Sequence, residues 1–246
     1  MYICKMKKSR NLFTCSSPLA LSLYQPEESI VVVIDVFRAT STICAALANG
    51  AKAVLPISDV ETCIKMTGQP GLVTGGERKG MVIDGLQFGN SPLDYTAETI
   101  RDRTLVLTTT NGVKLLNQVE QVGEVITGAF LNLSAVCNYL LQQDKDVYLV
   151  CAGWFDKENM EDLLFCGAVV EQIGSHFNLD DSSMIALALK RQANTYPSIF
   201  EFLKSATHFQ RLLSFGVERD LVYCCQVDKC AVVPLFTQPY LVKADF

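Results

Sequence analysis

Val31-Val32-Val33-Ile34 are four β-branched side chains in succession, with no polar position among them. Such a run cannot present one wet and one dry face, so it suits a strand buried on both sides in the middle of a sheet. Its continuation narrows the fold further. The apolar stretch 30–36 runs into a small polar segment, 38–42, and then into helical sequence as far as Ala48. The same succession recurs at 104–107, with the loop 108–112 and a helix from Val113, and at 147–150, with the loop 153–159 and a helix to Ile173. Repeated strand–loop–helix units predict an α/β fold, a largely parallel or mixed sheet covered by helices in three layers.

Helix punctuation agrees with this layout. Asn49 and Gly50 close the first helix through a left-handed residue, while Asn159, with Asp162 three positions on, opens the third and Gly174 ends it. Between the first two units, residues 68–93 hold seven glycines together with Pro70 and Pro92, and read as one long functional loop. Beyond the third unit, 181–216 reads as two or three helices broken near Pro197, followed by strands around 221–227 and 231–235. We expect a single α/β domain over residues 1–246, with two intimately packed lobes as its variant form.

Charge and hydropathy exclude partners. With 21 basic and 26 acidic residues the net charge is −5, and no basic run exists beyond 5–10, so the footprint that nucleic acid requires is missing. Mean hydropathy is high at +0.23. Yet the longest apolar stretches, 30–34, 44–48 and 231–236, fall far short of the roughly 20 residues of a membrane span. Lys5, Lys7, Lys8 and Arg10 precede a stretch interrupted by Ser16, Ser17 and Pro18, which reads as an ordinary first strand and loop and not as a signal peptide. The expected location is cytoplasmic. Ten cysteines spread from Cys4 to Cys230, mostly inside apolar runs, read as reduced core residues. Cys224, Cys225 and Cys230 form no Cys-x-x-Cys pair and have no histidine nearby, which argues against structural zinc. A homo-oligomer is left open.

Ligands of open α/β sheets bind outside the carboxyl ends of the strands, so the loops that follow strands are the places to search. The first offers Asp35 at a strand tip, Arg38, and the hydroxyls of Thr40, Ser41 and Thr42 at a helix start, where main-chain N–H groups favour an anion. An arginine there can grip an oxyanion with two parallel hydrogen bonds. The second loop, Thr108-Thr109-Thr110-Asn111-Gly112, repeats the logic, and the third places Glu161 and Asp162 in the first turn of a helix. Each has a plain structural alternative as a cap, a turn or a dipole partner. Together, opening on one side of a parallel sheet, they assemble carboxylates for a hard cation with donors for an anion, the inventory of magnesium-assisted phosphoryl chemistry. His176 and His208 are distant in sequence, so a Ser-His-Asp or Cys-His mechanism is not expected, although the fold can bring His208 to the site. Neither a P-loop nor a G-x-G-x-x-G occurs.

Five motifs in order carry a resemblance: Ile34-Asp35-Val36-Phe37-Arg38-Ala39-Thr40-Ser41-Thr42, Gly76-Glu77-Arg78, Gly89-Asn90-Ser91-Pro92, Thr108-Thr109-Thr110-Asn111-Gly112 and Glu161-Asp162. From about residue 30 to Val232-Val233-Pro234 the chain resembles the 2-phosphosulfolactate phosphatase family. The resemblance implies a Mg2+-dependent phosphatase, with a family-specific α/β fold, that releases phosphate from 2-phospho-3-sulfolactate or a related 2-hydroxy acid phosphate. Carried over by position, it implies Asp35, Arg38, Glu77 and Asn111 as catalytic residues. Arg38, Thr40, Ser41, Thr42, Asn90, Thr109, Thr110 and Asn111 would bind phosphate and substrate, and Asp35, Glu161 and Asp162 the metal. Two positions depart from the family: Gln87 stands where an aspartate is common, and Val113 where a threonine is. Asp35 is open as metal ligand or nucleophile. The second aspartate of haloacid dehalogenase-like phosphatases, two residues on, is Phe37 here, which excludes that family. A non-catalytic anion-binding protein is the competing reading, and a metal-dependent lyase or isomerase a third.

Overall fold

A computed structural model describes residues 10–24, 26–119 and 122–246, so Cys4, Lys5, Lys7 and Lys8 lie outside the described residues. In chain order the elements begin with β1 (Asn11–Cys15), β2 (Ile30–Ile34), α1 (Ala39–Ala48), β3 (Ala53–Pro56), α2 (Val60–Lys65), β4 (Leu72–Arg78) and β5 (Met81–Val82). They continue with α3 (Ala97–Ile100), β6 (Thr104–Thr108), α4 (Gly112–Val119), β7 (Glu124–Gly128), α5 (Leu133–Gln142), β8 (Val147–Cys151), α6 (Met160–Ile173) and β9 (Asn178–Leu179). Four helices, α7 (Asp181–Ala193), α8 (Ile199–Leu203), α9 (Thr207–Leu213) and α10 (Glu218–Cys224), precede β10 (Pro234–Thr237) and β11 (Tyr240–Lys243). Among the described residues no helix is long and apolar enough to cross a membrane.

One mixed sheet holds all eleven strands, in the order β5-β4-β6-β3-β11-β10-β7-β2-β8-β1-β9. As its sequence demands, β2 is interior, paired in parallel with β7 and β8, and each of its five residues is buried. Its side chains divide between two cores: Ile30, Val32 and Ile34 pack on the side of α5, α6 and α9, while Val31 and Val33 pack on the side of α1 and α4. That is the expected three-layer arrangement. Each such residue contributes about 1.5–3 kcal/mol on burial, so a polar substitution in β2 would strike both cores. The nine described cysteines carry free thiols, eight of them buried.

The sheet departs from the expected one in its sense. Strands β4, β6 and β3 are mutually parallel, as are β7, β2, β8, β1 and β9. The β10–β11 hairpin lies between the two groups and pairs antiparallel with β7 on one side and β3 on the other. The two groups therefore run in opposite senses, and the loops after β2 and β6 do not leave one common edge. The two loops nevertheless come together, since a Cβ on Gly112, after β6, would lie 2.7 Å from Asp35 Oδ2.

Three expectations need correction. The stretch 68–93 is not one loop, since it contains β4 and β5. Gly75 and Gly76 hide the strand because they are required by close approach: a Cβ on the first would run into the Tyr95 hydroxyl, and on the second into the Thr108 carbonyl. Residues 221–227, which read as a strand from their apolar and aromatic content, begin inside α10, which buries Asp220, Leu221 and Cys224 on one helical face. The next strand starts at Pro234, leaving Val232 and Val233 buried but outside it.

Candidate functional site

Asp35 follows the last residue of β2. Its main-chain N–H donates to Thr40 Oγ1 (3.1 Å), its carbonyl accepts from the Thr40 N–H (3.0 Å), and its Oδ1 accepts from the Ala39 N–H (3.3 Å). The turn into α1 is thereby locked by its own side chains. Ser41 Oγ donates to the Val36 carbonyl (2.8 Å) and Thr42 Oγ1 to the Asn90 carbonyl (3.1 Å). All three hydroxyls are buried and engaged with main chain, so Thr40, Ser41 and Thr42 brace the loop, as short hydroxyl side chains do when backbone groups lie nearby.

Asp35 faces a cavity of about 60 Å3 whose walls include Arg38, Glu77, Asn90, Thr110 and Asn111. It opens beside a larger groove of about 680 Å3 that shares Arg38, Glu77 and Asn90. Thus the second loop does meet the first. The start of α4 reaches Asp35 because position 112 is glycine: a Cβ there would lie 2.7 Å from Asp35 Oδ2 and 2.6 Å from Ala39 Cβ. Glu77 lines the cavity but holds main chain, Oε1 accepting from the Thr110 N–H (2.8 Å) and Oε2 from the Gly80 N–H (2.8 Å). Thr109 Oγ1 accepts from the Val113 N–H (3.1 Å) in the first turn of α4.

The third loop splits its two acids. Asp162 Oδ1 accepts from the Val36 N–H (2.8 Å), and Oδ2 accepts from the Gly153 N–H (3.2 Å) and Asn159 Nδ2 (2.9 Å). With both oxygens bonded to main chain or Asn159, Asp162 fastens the loops after β2 and β8. Glu161 is fully buried and differently placed: Oε1 bonds to His208 Nδ1, while Oε2 has no hydrogen-bond partner among the described residues. Asn90 Oδ1 and Thr110 Oγ1 are likewise buried without partners. Orphaned buried oxygens of this kind are rare and call for an explanation.

Electrostatics follow from this crowding. Burial pushes the Asp35 carboxyl up to about 6; His208 and the Ala39 N–H oppose the rise, and Glu77 and Glu161 add to it. Asp162 is raised well above the usual carboxylate range by burial first, then by Glu161 and Asp35. Among the described residues no group of three His, Cys, Asp or Glu side chains is arranged to hold a metal ion.

Three contributors carry no signal in the sequence strong enough to single them out. His208, on α9, lines the cavity, bonded to Glu161 and stacked on Trp154 with centroids 5.6 Å apart and rings 19° from parallel. Arg211, one turn later, also lines it. Asp220, on α10, forms a buried ion pair with Arg38 and accepts from Ser91 Oγ (2.8 Å) through its other oxygen. Only their spacing on short helices could announce these residues, and part of that segment has the composition of a strand. Gln87 lies elsewhere: its Oε1 accepts from the Thr74 N–H (3.0 Å). Val113 is buried in the first turn of α4.

Four of the five motifs thus line one cavity, and the fifth, Glu161-Asp162, lies behind it, bonded to His208 and to the Val36 N–H. The family model for 2-phosphosulpholactate phosphatase matches residues 15–239. A protein of Caldanaerobacter subterraneus named probable 2-phosphosulfolactate phosphatase is 38% identical over 213 residues, covering 85% of this chain and 88% of its own. Proteins of the same printed name from Thermotoga petrophila (38% identity, 87% of this chain and 92% of that one) and Microcystis aeruginosa (38%, 86% and 90%) extend the match. A match over nearly the whole sheet, at this identity, places the chain in the 2-phosphosulfolactate phosphatase family.

Proposed function

We propose that this protein is a Mg2+-dependent phosphatase that hydrolyses 2-phospho-3-sulfolactate, or a related 2-hydroxy acid phosphate, to the hydroxy acid and inorganic phosphate. The observation that carries the reading is the orphaned Oε2 of Glu161, buried next to a histidine and within electrostatic reach of Asp35. An unpartnered carboxylate oxygen in a buried site fits a bound hard cation. Asp35 and Glu161 would hold it, with Asn90 Oδ1 and Thr110 Oγ1 as neutral oxygen donors. Mg2+ is commonly held by one or two carboxylates with water and substrate phosphate completing its shell, so a third acid is not required. When bound, the ion neutralises charge on the phosphoryl oxygens.

The chain's own residues supply the rest. Arg38, aimed by Asp220, offers guanidinium donors to a phosphoryl oxygen, the electrostatic help a loose transition state needs. His208 gives Nδ1 to Glu161, which leaves Nε2 as the atom that exchanges a proton with the attacking or leaving oxygen. If Asp35 is instead the nucleophile, its carboxylate oxygen bonds to phosphorus as the ester oxygen leaves with the His208 proton, and water later cleaves the aspartyl phosphate. The stereochemical course at a chiral phosphorus separates the two roles: inversion marks direct attack by water and retention a double displacement through Asp35. The non-catalytic reading rests on Gln87, whose side chain bonds Thr74 and does not line the cavity, so nothing favours it. Phosphate release from 2-phospho-3-sulfolactate should require Mg2+ and stop in excess chelator. Absence of release with Mg2+ present, or full activity in chelator, would overturn the proposal.

A further inference from the structure

Two cations that line the cavity, Arg211 and Lys79, have no acidic partner among the described residues, and Arg211 is the one packed on aromatic rings. Arg38 is neutralised by Asp220, whereas among the described residues the Arg211 guanidinium has neither an acidic partner nor a hydrogen-bond acceptor. It is held instead by aromatic rings, 4.8 Å from the Trp154 centroid, 5.1 Å from Phe215 and 5.8 Å from Phe155. Such contacts orient a planar guanidinium while leaving its N–H edge free for an anion. It lines the same cavity as Asp35 and Arg38, yet comes from α9 and not from the loops that build the phosphoryl end.

From this we infer that Arg211 is the specificity residue for the sulfonate on the carbon next to the ester, which the substrate carries besides its phosphoryl group and its C1 carboxylate. The inference rests on the phosphatase reading and goes beyond it by assigning the recognition of the remote group. A sulfonate spreads one charge over three oxygens and is weakly hydrated; a guanidinium packed on aromatic faces is the matching cation. A carboxylate in the same position is more strongly hydrated and loses more on giving up water for such a contact.

Calorimetric titration of the intact protein tests this without turnover, using 3-sulfolactate, malate (its carboxylate counterpart) and inorganic phosphate as probes. Wild type should bind 3-sulfolactate more tightly than malate. Arg211→Gln should weaken 3-sulfolactate roughly 10- to 100-fold and inorganic phosphate far less, and Arg211→Lys should fall between because the fork is lost and the charge kept. Failure of wild type to bind 3-sulfolactate, equal loss of phosphate and 3-sulfolactate in Arg211→Gln, or no loss at all would each overturn the assignment. Melting curves of both variants guard against misfolding. A parallel measurement of phosphate release tests the other reading separately: a wild type that binds 3-sulfolactate through Arg211 but releases no phosphate sinks the phosphatase and keeps the subsite.

Discussion

The loop 35–42 and the helices α9 and α10 build one cavity by contrasting means. In the loop, hydroxyls and main chain bond to one another, so Asp35, Phe37 and Arg38 line the cavity while Thr40, Ser41 and Thr42 hold the turn shut. On the two helices the backbone is already paired, and His208, Arg211 and Asp220 are free to project toward the loop. The difference teaches that a concentration of polar residues marks a braced scaffold as readily as a ligand site. Isolated polar residues on a helix face cannot satisfy each other locally and therefore reach out.

The sharpest way to break this contrast is at Asp35. Asp35→Asn keeps the Ala39 hydrogen bond but removes the charge, and turnover should fall by about three orders of magnitude or more; near-normal turnover would reduce Asp35 to a turn residue. The same variant carries a stability signature. The folded carboxyl titrates at about 6 against 3.8 for the ordinary group, so between these values the native state binds more protons and stability falls as pH rises. Without divalent cation, wild type should lose stability from pH 4 to 6 relative to Asp35→Asn; parallel melting temperatures across that range would contradict the burial argument.

His208→Asn tests the helical side. Loss of general acid–base help should lower kcat by roughly 100-fold or more with little change in melting temperature, and a fully active variant would return His208 to the core. A smaller effect on activity is expected from Asp220→Ala, which leaves Arg38 buried without its partner. Here stability should suffer by about 3–5 kcal/mol, with kcat/KM reduced by misorientation of Arg38; unaltered chemical denaturation would show the pair to be dispensable. Least affected should be Thr42→Val, which loses one hydrogen bond to the Asn90 carbonyl and about 1 kcal/mol of stability. If it instead abolished phosphate binding, the division between brace and ligand site would be wrong.

Much of this is legible in the sequence. The interior place of β2 follows from four β-branched residues, and Asp35 and Arg38 from their position at its tip. Glu161 and Asp162 come to notice together but cannot be told apart, since adjacent helix residues point about 100° apart and only tertiary contacts show which one meets His208 and which one staples Val36. Strand β4 is masked by glycines whose reason is the approach of Tyr95 and Thr108. The run Leu221-Val222-Tyr223 has strand composition, yet Asp220 and Cys224 lie one helical turn apart and are buried together, a helix-face spacing that composition overrides.

The β10–β11 hairpin bears on how the protein is made as well as on how it stands. It joins β3 to β7, and residues 234–243 leave the ribosome after every other strand of the sheet. Throughout synthesis the two strand groups therefore exist as separate pieces, each with an unsealed edge of free N–H and C=O groups that can template pairing with another chain. A nascent chain stalled before residue 234 would carry both edges at once, so solubility in the cell depends on how promptly the last strands of the sheet arrive.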